Sequence, residues 1–390
     1  MLDRAPPGRR YSADVRVGLL LEQVLAPVPG GTGRYARELA SALSAAAGAD
    51  ESVGTWTAWH RDVSGADVAG VSGPHRLALP RRPLVAAWER GAPWPVPRGV
   101  DLVHAPTLLA PTAVRVPLVV TVHDAVPWTH PETLTPRGVT WHRRMAERVA
   151  ARADAVVVPT RAVADALAGH VALRRVEVVG EGVSGDLALP ADAAARAVRL
   201  GLPDGGYLLT LATLEPRKGL DVLIAALARP GVPDLPLLVV GQPGWGGVDP
   251  EDLARREGLA AGRVRALGRL SDADLATVLD RATALVMPSR AEGFGLPVLE
   301  AMAAGTPVVC SADPALAEVG GDAVRTAAVG DPAALAGQLT EVLGDAALRA
   351  GMAERGRQRA AAYTWAAAAG RLWELYRTLA GERSTSSASR

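Results

Sequence analysis

The chain has 390 residues, too many for one ordinary core and enough for two domains of about half that length. Hydrophobic residues make up 49% and aromatics only 4%, so the cores are built from Ala, Val and Leu, which suits α/β layers better than an aromatic-rich sandwich. The 42 basic and 41 acidic residues nearly cancel, so no charge excess points to nucleic acid, and the single Cys310 excludes an internal disulfide framework and a cysteine-based zinc site.

Residues 1–13 are polar and contain Pro and Gly, and are expected to be disordered. Val15–Leu21 reads as a buried parallel strand. Glu22 interrupts that apolar run and no cleavage site follows, so the reading excludes a signal peptide. Pro29-Gly30-Gly31-Thr32-Gly33 is expected as a glycine loop leading into a helix over Tyr35–Ala46. Strands are expected at Val53–Trp59, Leu102–His104, Leu118–Val122 and Ala155–Val158, with helices at Arg137–Arg152 and Arg161–Ala168. Between about 181 and 203 the sequence turns to Gly, Pro, Asp and Ala without a strand signal, and a linker is placed at 191–203. A second series begins with Tyr207–Ala212 and continues through Leu237–Val240, Val264–Leu267, Ala284–Met287 and Val308–Cys310. Helices from Pro332 to Ala380 and a frayed polar tail follow. Two tandem doubly wound parallel sheets are expected, facing across a cleft at the carboxyl ends of their strands, where α/β sheets bind ligands. The expected units are 14–190, 204–365, a helix at 366–380 packing back on the first unit, and a disordered tail at 381–390.

The strongest motif is Glu292-Gly293-Phe294-Gly295-Leu296-Pro297, with Glu300 in the helix that follows. A glycine loop running into a helix start presents amide groups to an anion, and the two carboxylates suit hydrogen bonds from two polyols. Spacing alone equally fits a structural loop with two surface glutamates. The second motif, Thr213 to Gly219, holds Arg217 and Lys218, the only lysine of the chain, after a strand. Such a pair can hold a diphosphate, or be an exposed basic pair beside a turn. His123 in Thr121-Val122-His123-Asp124 also follows a strand, as does His104, and either is by type more often structural. The Pro29–Gly33 stretch lacks the G-x-G-x-x-G dinucleotide pattern, which disfavours a nicotinamide oxidoreductase.

Together, the segments "TLEPRKG" at 213–219 and "VMPSRAEGFGLPVLEAMAAGTPVV" at 286–309 resemble the retaining group-one glycosyltransferases of GT-B fold, which have two Rossmann-like domains. The likeness, to mannosyltransferase-like members, runs from about Val15 to Ala380 and is strongest over 207–330. It implies that Glu292 contacts the transferred sugar, Glu300 the donor ribose, Arg217 and Lys218 the diphosphate, and His123 the donor sugar. Gly31, Gly33, Thr213, Arg269, Leu270, Gly293, Phe294, Gly295 and Leu296 then line the donor. Many relatives carry Gly-Arg where this chain has Ala212-Thr213, so Arg217 is expected to substitute for the missing arginine.

The implied activity is metal-independent, retaining hexosyl transfer to a glycan or lipid-linked acceptor. The donor is GDP-mannose, with UDP-glucose or UDP-N-acetylglucosamine as alternatives, and there is no separate cofactor. Asp272-Ala273-Asp274 matches the D-x-D pattern that binds manganese in other glycosyltransferases, but Ser271 followed by Asp274 reads as a helix cap. Arg81-Arg82, Trp88, Trp94, Trp128 and Trp141–Arg144 form aromatic–basic clusters, either solvated helix faces or a peripheral contact with the inner face of a membrane. A cytoplasmic location is expected. A catalytically silent sugar-binding homologue and a pyridoxal phosphorylase are the remaining rivals; the second would place its lysine too close to the phosphate site.

Overall fold

The computed structural model describes residues 15–388. The N-terminus at 1–13, expected to be disordered, and residues 389–390 lie outside the described residues. From Val15 the chain runs β1 (Val15–Leu20), α1 (Gly30–Ala45), β2 (Glu51–Trp59), β3 (Ser72–Pro80), α2 (Arg81–Glu89), β4 (Leu102–Ala105), β5 (Leu118–Thr121), α3 (Val126–Thr129), α4 (Pro136–Arg152), β6 (Ala155–Val158), α5 (Arg161–Ala168) and β7 (Val176–Val178). These strands form one parallel sheet in the order β3-β2-β1-β4-β5-β6-β7. After α6 (Ala193–Arg199) the pattern restarts with β8 (Leu208–Leu211), α7 (Leu220–Leu227), β9 (Leu237–Val240), α8 (Pro250–Arg256), β10 (Val264–Gly268), α9 (Asp272–Arg281), β11 (Ala284–Met287), α10 (Leu296–Ala304), β12 (Val308–Ser311), α11 (Pro314–Gly320) and β13 (Arg325–Ala327). The second sheet is also parallel, in the order β10-β9-β8-β11-β12-β13. Helices α12 (Pro332–Gly344), α13 (Ala346–Ala360) and α14 (Trp365–Ala388) close the chain.

The central strands are short apolar runs because helices cover both faces of each sheet. Every residue of β5, β6, β8, β9, β11 and β12 is buried. Alternate side chains feed opposite layers: Val17 and Leu19 pack into one core of the first sheet, and Leu20 into the other.

Three expectations change. The linker at 191–203 contains α6, because its Ala-rich run favours helix and Arg196 and Arg199 dock on Asp274 of α9 at 2.8 and 2.7 Å. The tail expected to be disordered from 381 continues as helix to Ala388, since no proline or capping signal interrupts α14. The glycines at 30–33 are not a loop: they form the first turn of α1, entered through Gly30 at φ +61°.

Helix α14 crosses to the first lobe. Trp373 donates its indole N–H to the Leu43 carbonyl at 3.0 Å, and Arg377 forms a bidentate pair with Glu51 at 2.6 and 3.0 Å. The lobes also touch directly. Thr160 Oγ1 donates to the Gly293 carbonyl at 2.9 Å. The Glu318 carboxylate of α11 accepts from the Arg161 and Ala162 amides, both at 2.8 Å, at the positive start of α5. Glu318→Ala is therefore expected to loosen the unliganded lobes and enlarge the radius of gyration seen by small-angle scattering. An unchanged radius would show that this contact does not hold them.

Candidate active site

In a doubly wound sheet, ligands bind at the carboxyl ends of the two neighbouring strands whose connections leave in opposite directions. Those neighbours are β1 and β4 in the first lobe, and β8 and β11 in the second. Lys218 sits in the helical turn Pro216–Lys218 after β8, and Glu292 sits in the loop after β11. The switch point thus joins two motifs that are far apart in sequence. Close packing explains two of the glycines. A Cβ on Gly219 (φ +67°) would lie 2.1 Å from the Pro288 carbonyl oxygen, and one on Gly293 would lie 1.7 Å from that of His123.

Glu292 is the centre of this junction. Its Oε1 accepts from Lys218 Nζ at 2.6 Å and from the buried Ser289 hydroxyl at 2.7 Å, and its Oε2 accepts from Arg217 Nη1 at 3.0 Å. Burial opposes its charge, but Lys218 and Arg217 outweigh that and hold the carboxyl down to about 2. A carboxylate so held is ionised at neutral pH and cannot serve as a general acid. Arg217 is nearly spent: it also donates from Nη1 to the Ala291 carbonyl at 2.8 Å, and from Nη2 and Nε to Glu215 at 2.8 and 3.2 Å. Lys218, with three ammonium protons and one bond to Glu292, is the cation of the pair with donors left for a ligand.

Glu300, one turn into α10, is buried and meets Arg34 of α1 across the cleft at 3.8 Å. Burial raises its carboxyl to about 7; Arg34 pulls it down, while Asp272, Glu181 and Glu38 push it further up. Arg34 also pairs with Asp272.

His123 is held by the protein at both ring nitrogens. Nε2 donates to the Pro106 carbonyl at 2.8 Å, and Nδ1 lies 3.7 Å from the buried Glu181. Burial disfavours its charge, but Glu181 and the Pro106 carbonyl more than offset this and raise its pKa. The ring stands edge-on to Tyr35 at 4.7 Å. His104 is wholly buried, bonded to Tyr376 and Thr121, and burial drops it to about 3; it is a neutral core histidine.

The remaining predicted residues divide by exposure. Arg269 is exposed after β10, and Gly295 caps α10 at φ +88° without a side chain, leaving the helix start uncapped. Gly31 faces Leu296 of the opposite lobe, where a Cβ would lie 3.8 Å from Cδ1. Gly33 is buried against Pro29, a packing reason for glycine that needs no ligand. Thr213 follows β8 and sets its methyl group against Gly244. Phe294 and Leu296 are buried in the second lobe's core, with Leu270 partly buried against it; Phe294 packs edge-on against Tyr363, so only its backbone can meet a ligand.

Ser271 caps α9, its Oγ accepting from the Asp274 amide at 3.2 Å. Among the described residues no three His, Cys, Asp or Glu side chains are placed to hold a metal ion. Of the aromatic–basic clusters, Trp88 is core, and Trp141 and Arg144 both bond Glu89 at 2.6 and 3.1 Å. The sequence reading missed Glu181, Ser289 and Glu318. Only Glu181, a lone acid between two glycines just past an apolar run, carried a signal.

Two tandem parallel sheets with their switch points brought together across a cleft define the GT-B fold. Residues 194–359 match the family "Glycosyl transferases group 1" and residues 29–186 match "Glycosyltransferase Family 4". The two matches fall on the second and the first lobe respectively, so each lobe carries a glycosyltransferase family domain. It is 37% identical over 172 residues to the phosphatidyl-myo-inositol mannosyltransferase of Mycolicibacterium smegmatis, covering 43% of each chain. It is 38% identical over 252 residues to the D-inositol 3-phosphate glycosyltransferase of Streptomyces avermitilis, covering 59% of this chain and 53% of that one. The chain thus spans about half the length of these curated relatives. Among solved structures it resembles Anabaena Alr3699/HepE in complex with UDP and glucose, with a TM-score of 0.72 and 22% identity over 93% of this chain and 99% of that one, a likeness of fold. Among the described residues no helix is long and apolar enough to cross a membrane.

Proposed function

We propose that the protein is a retaining glycosyltransferase that moves a hexose, mannose from GDP-mannose in the first instance, to a hydroxyl of a glycan or lipid-linked acceptor. The observation that carries this reading is the junction of Lys218 with the buried, ionised Glu292 at the β8/β11 switch point. The diphosphate lies against Lys218 and the uncapped start of α10, without a metal ion, and Arg269 flanks the base. Glu292 accepts hydrogen bonds from the transferred sugar, His123 lines the sugar from the first lobe, and Glu300 takes the ribose. As the glycosidic bond breaks, negative charge grows on the leaving diphosphate, so its contact with Lys218 strengthens in the transition state. The acceptor hydroxyl attacks on the face that the diphosphate leaves, and its proton passes to a phosphate oxygen, which keeps the anomeric configuration. Lobe closure through Glu318 and Thr160 excludes water and limits hydrolysis of the donor.

The mannosyltransferase relative supports mannose, and the UDP and glucose bound in the structural neighbour support UDP-glucose as the second donor. Calorimetry of the full chain with GDP-mannose, UDP-glucose and UDP-N-acetylglucosamine is expected to select GDP-mannose. Turnover with the selected donor is expected to survive excess EDTA. Binding of none of the three, or loss of activity on chelation, counts against the respective part of this reading.

A further inference from the structure

A second organised cluster stands on the first lobe's side of the cleft, and the donor machinery does not use it. Glu22 follows β1 after one residue and is buried, and its carboxylate is bonded to Ala58, His60 and Arg81. Its Oε2 accepts from the Ala58 amide at 2.7 Å, both of its oxygens lie 3.1 Å from His60 Nε2, and its Oε1 accepts from Arg81 Nη1 at 3.2 Å. Arg81 gives the same nitrogen to the Glu22 carbonyl at 3.2 Å.

The three groups come from the carboxyl ends of β1, β2 and β3, which are neighbours in the sheet. The next residue, Gln23, donates to the Pro29 carbonyl at 3.2 Å at the start of α1, where Gly31 faces the opposite lobe. The cluster therefore adjoins the cleft. The exposures differ in a telling way: the Glu22 side chain is 6% exposed, whereas Arg81 and His60 keep 37% and 26%. A buried carboxylate that fixes two half-exposed donors is a brace for a ligand site, since it sets their geometry before anything binds. Glu22 neutralises one positive charge; Arg61 and Arg82 follow His60 and Arg81 directly in the chain, and Arg76 donates to the Arg61 carbonyl at 3.3 Å, so cations outnumber the acids Glu22 and Asp62 and the local field favours an anion.

We propose that Glu22, His60 and Arg81 form the acceptor subsite, and that the acceptor carries an anionic oxygen group, phosphate or carboxylate, on or beside its sugar. Arg81 takes the anion on the edge of its guanidinium away from Glu22, and His60 Nδ1 bonds a neighbouring hydroxyl. Glu22 is a positioning residue that acts through the other two. This assignment rests on the transferase reading and deepens it by naming the acceptor class.

The test loads the full chain with GDP, so that the donor's phosphate site is filled, and titrates it with glucose 6-phosphate, glucuronate and methyl glucoside. At least one anionic sugar is expected to bind about tenfold or more tightly than methyl glucoside, and which of the two does so separates phosphate from carboxylate. Arg81→Gln is expected to weaken that sugar by about 10- to 100-fold, the range of one lost charge-assisted hydrogen bond, and to leave GDP affinity unchanged. Arg81→Lys, which keeps the charge, restores part of the loss. Glu22→Gln lowers the preference for the anionic over the neutral sugar without altering GDP binding. Equal binding of charged and neutral sugars, or an anionic affinity untouched by Arg81→Gln, overturns the proposal. Failure of both GDP and UDP to bind removes the donor reading instead, and the same titrations without nucleotide still report on Arg81.

Discussion

Replacing Lys218 with alanine is expected to lower turnover on the order of 10²-fold or more while leaving the fold intact, the scale of one lost transition-state donor. The fold survives because Glu292 keeps Arg217 and Ser289 as partners, at 3.0 and 2.7 Å. The rate falls because Arg217 is already committed to Glu215, Ala291 and Glu292, and cannot replace the missing ammonium group at the leaving phosphate. The loss should appear in kcat more than in donor affinity, since the contact strengthens as charge develops. Glu292→Gln is expected to cost a similar factor, because the amide cannot hold both cations in place. Glu292→Ala adds a folding penalty: it leaves Lys218, 15% exposed, without its carboxylate, while Arg217 keeps Glu215. Steady-state kinetics beside a melting curve separates these effects, and near-normal kcat in both Lys218→Ala and Glu292→Gln would remove the catalytic assignment.

Glu300→Gln is expected to stabilise the unliganded protein at pH 8 while weakening its hold on the donor. Burial keeps the Glu300 carboxyl up at about 7, against 4.5 for an ordinary glutamate. Between those values the folded chain retains a proton that the unfolded chain gives up. Folding stability therefore falls as pH rises from 4.5, and the loss is complete above 7. The gap corresponds to about 3 kcal/mol, and a glutamine, with no proton to lose, escapes it. The variant should melt several degrees above the parent at pH 8 and level with it near pH 4.5. The same substitution should reduce nucleotide affinity by about tenfold or more, since ionised Glu300 accepts from ribose hydroxyls where the amide is a weaker acceptor. A variant that melts lower at pH 8 and binds nucleotide unchanged would contradict both the electrostatics and the ribose assignment.

The parts of the fold legible in the sequence were those buried on both faces. The central strands announced themselves as apolar runs, and the strand–loop–helix at Ala284–Ala304 could be read with its glutamates. The strands that went unread were β3, β7 and β13, and all three are sheet edges. Their exposure patterns are mixed, so no apolar run marks them. Within the site, residue types were legible and pairings were not. Nothing local shows that Lys218 and Arg217 close on Glu292, that Arg34 reaches Glu300, or that Glu181 stands behind His123. Each pair is made by two strands or lobes meeting in space. The glycines at 30–33 misled for a related reason: glycine usually breaks helices, but here Gly33 lets α1 start tight against Pro29.

The most direct test of the central claim is a crystal structure of the full chain soaked with GDP-mannose or UDP-glucose. The account predicts the pyrophosphate within hydrogen-bonding distance of Lys218 Nζ and the amides at the start of α10, the ribose on Glu300 and the hexose against Glu292. A nucleotide sugar seated anywhere else, with the Lys218–Glu292 junction untouched, would contradict it.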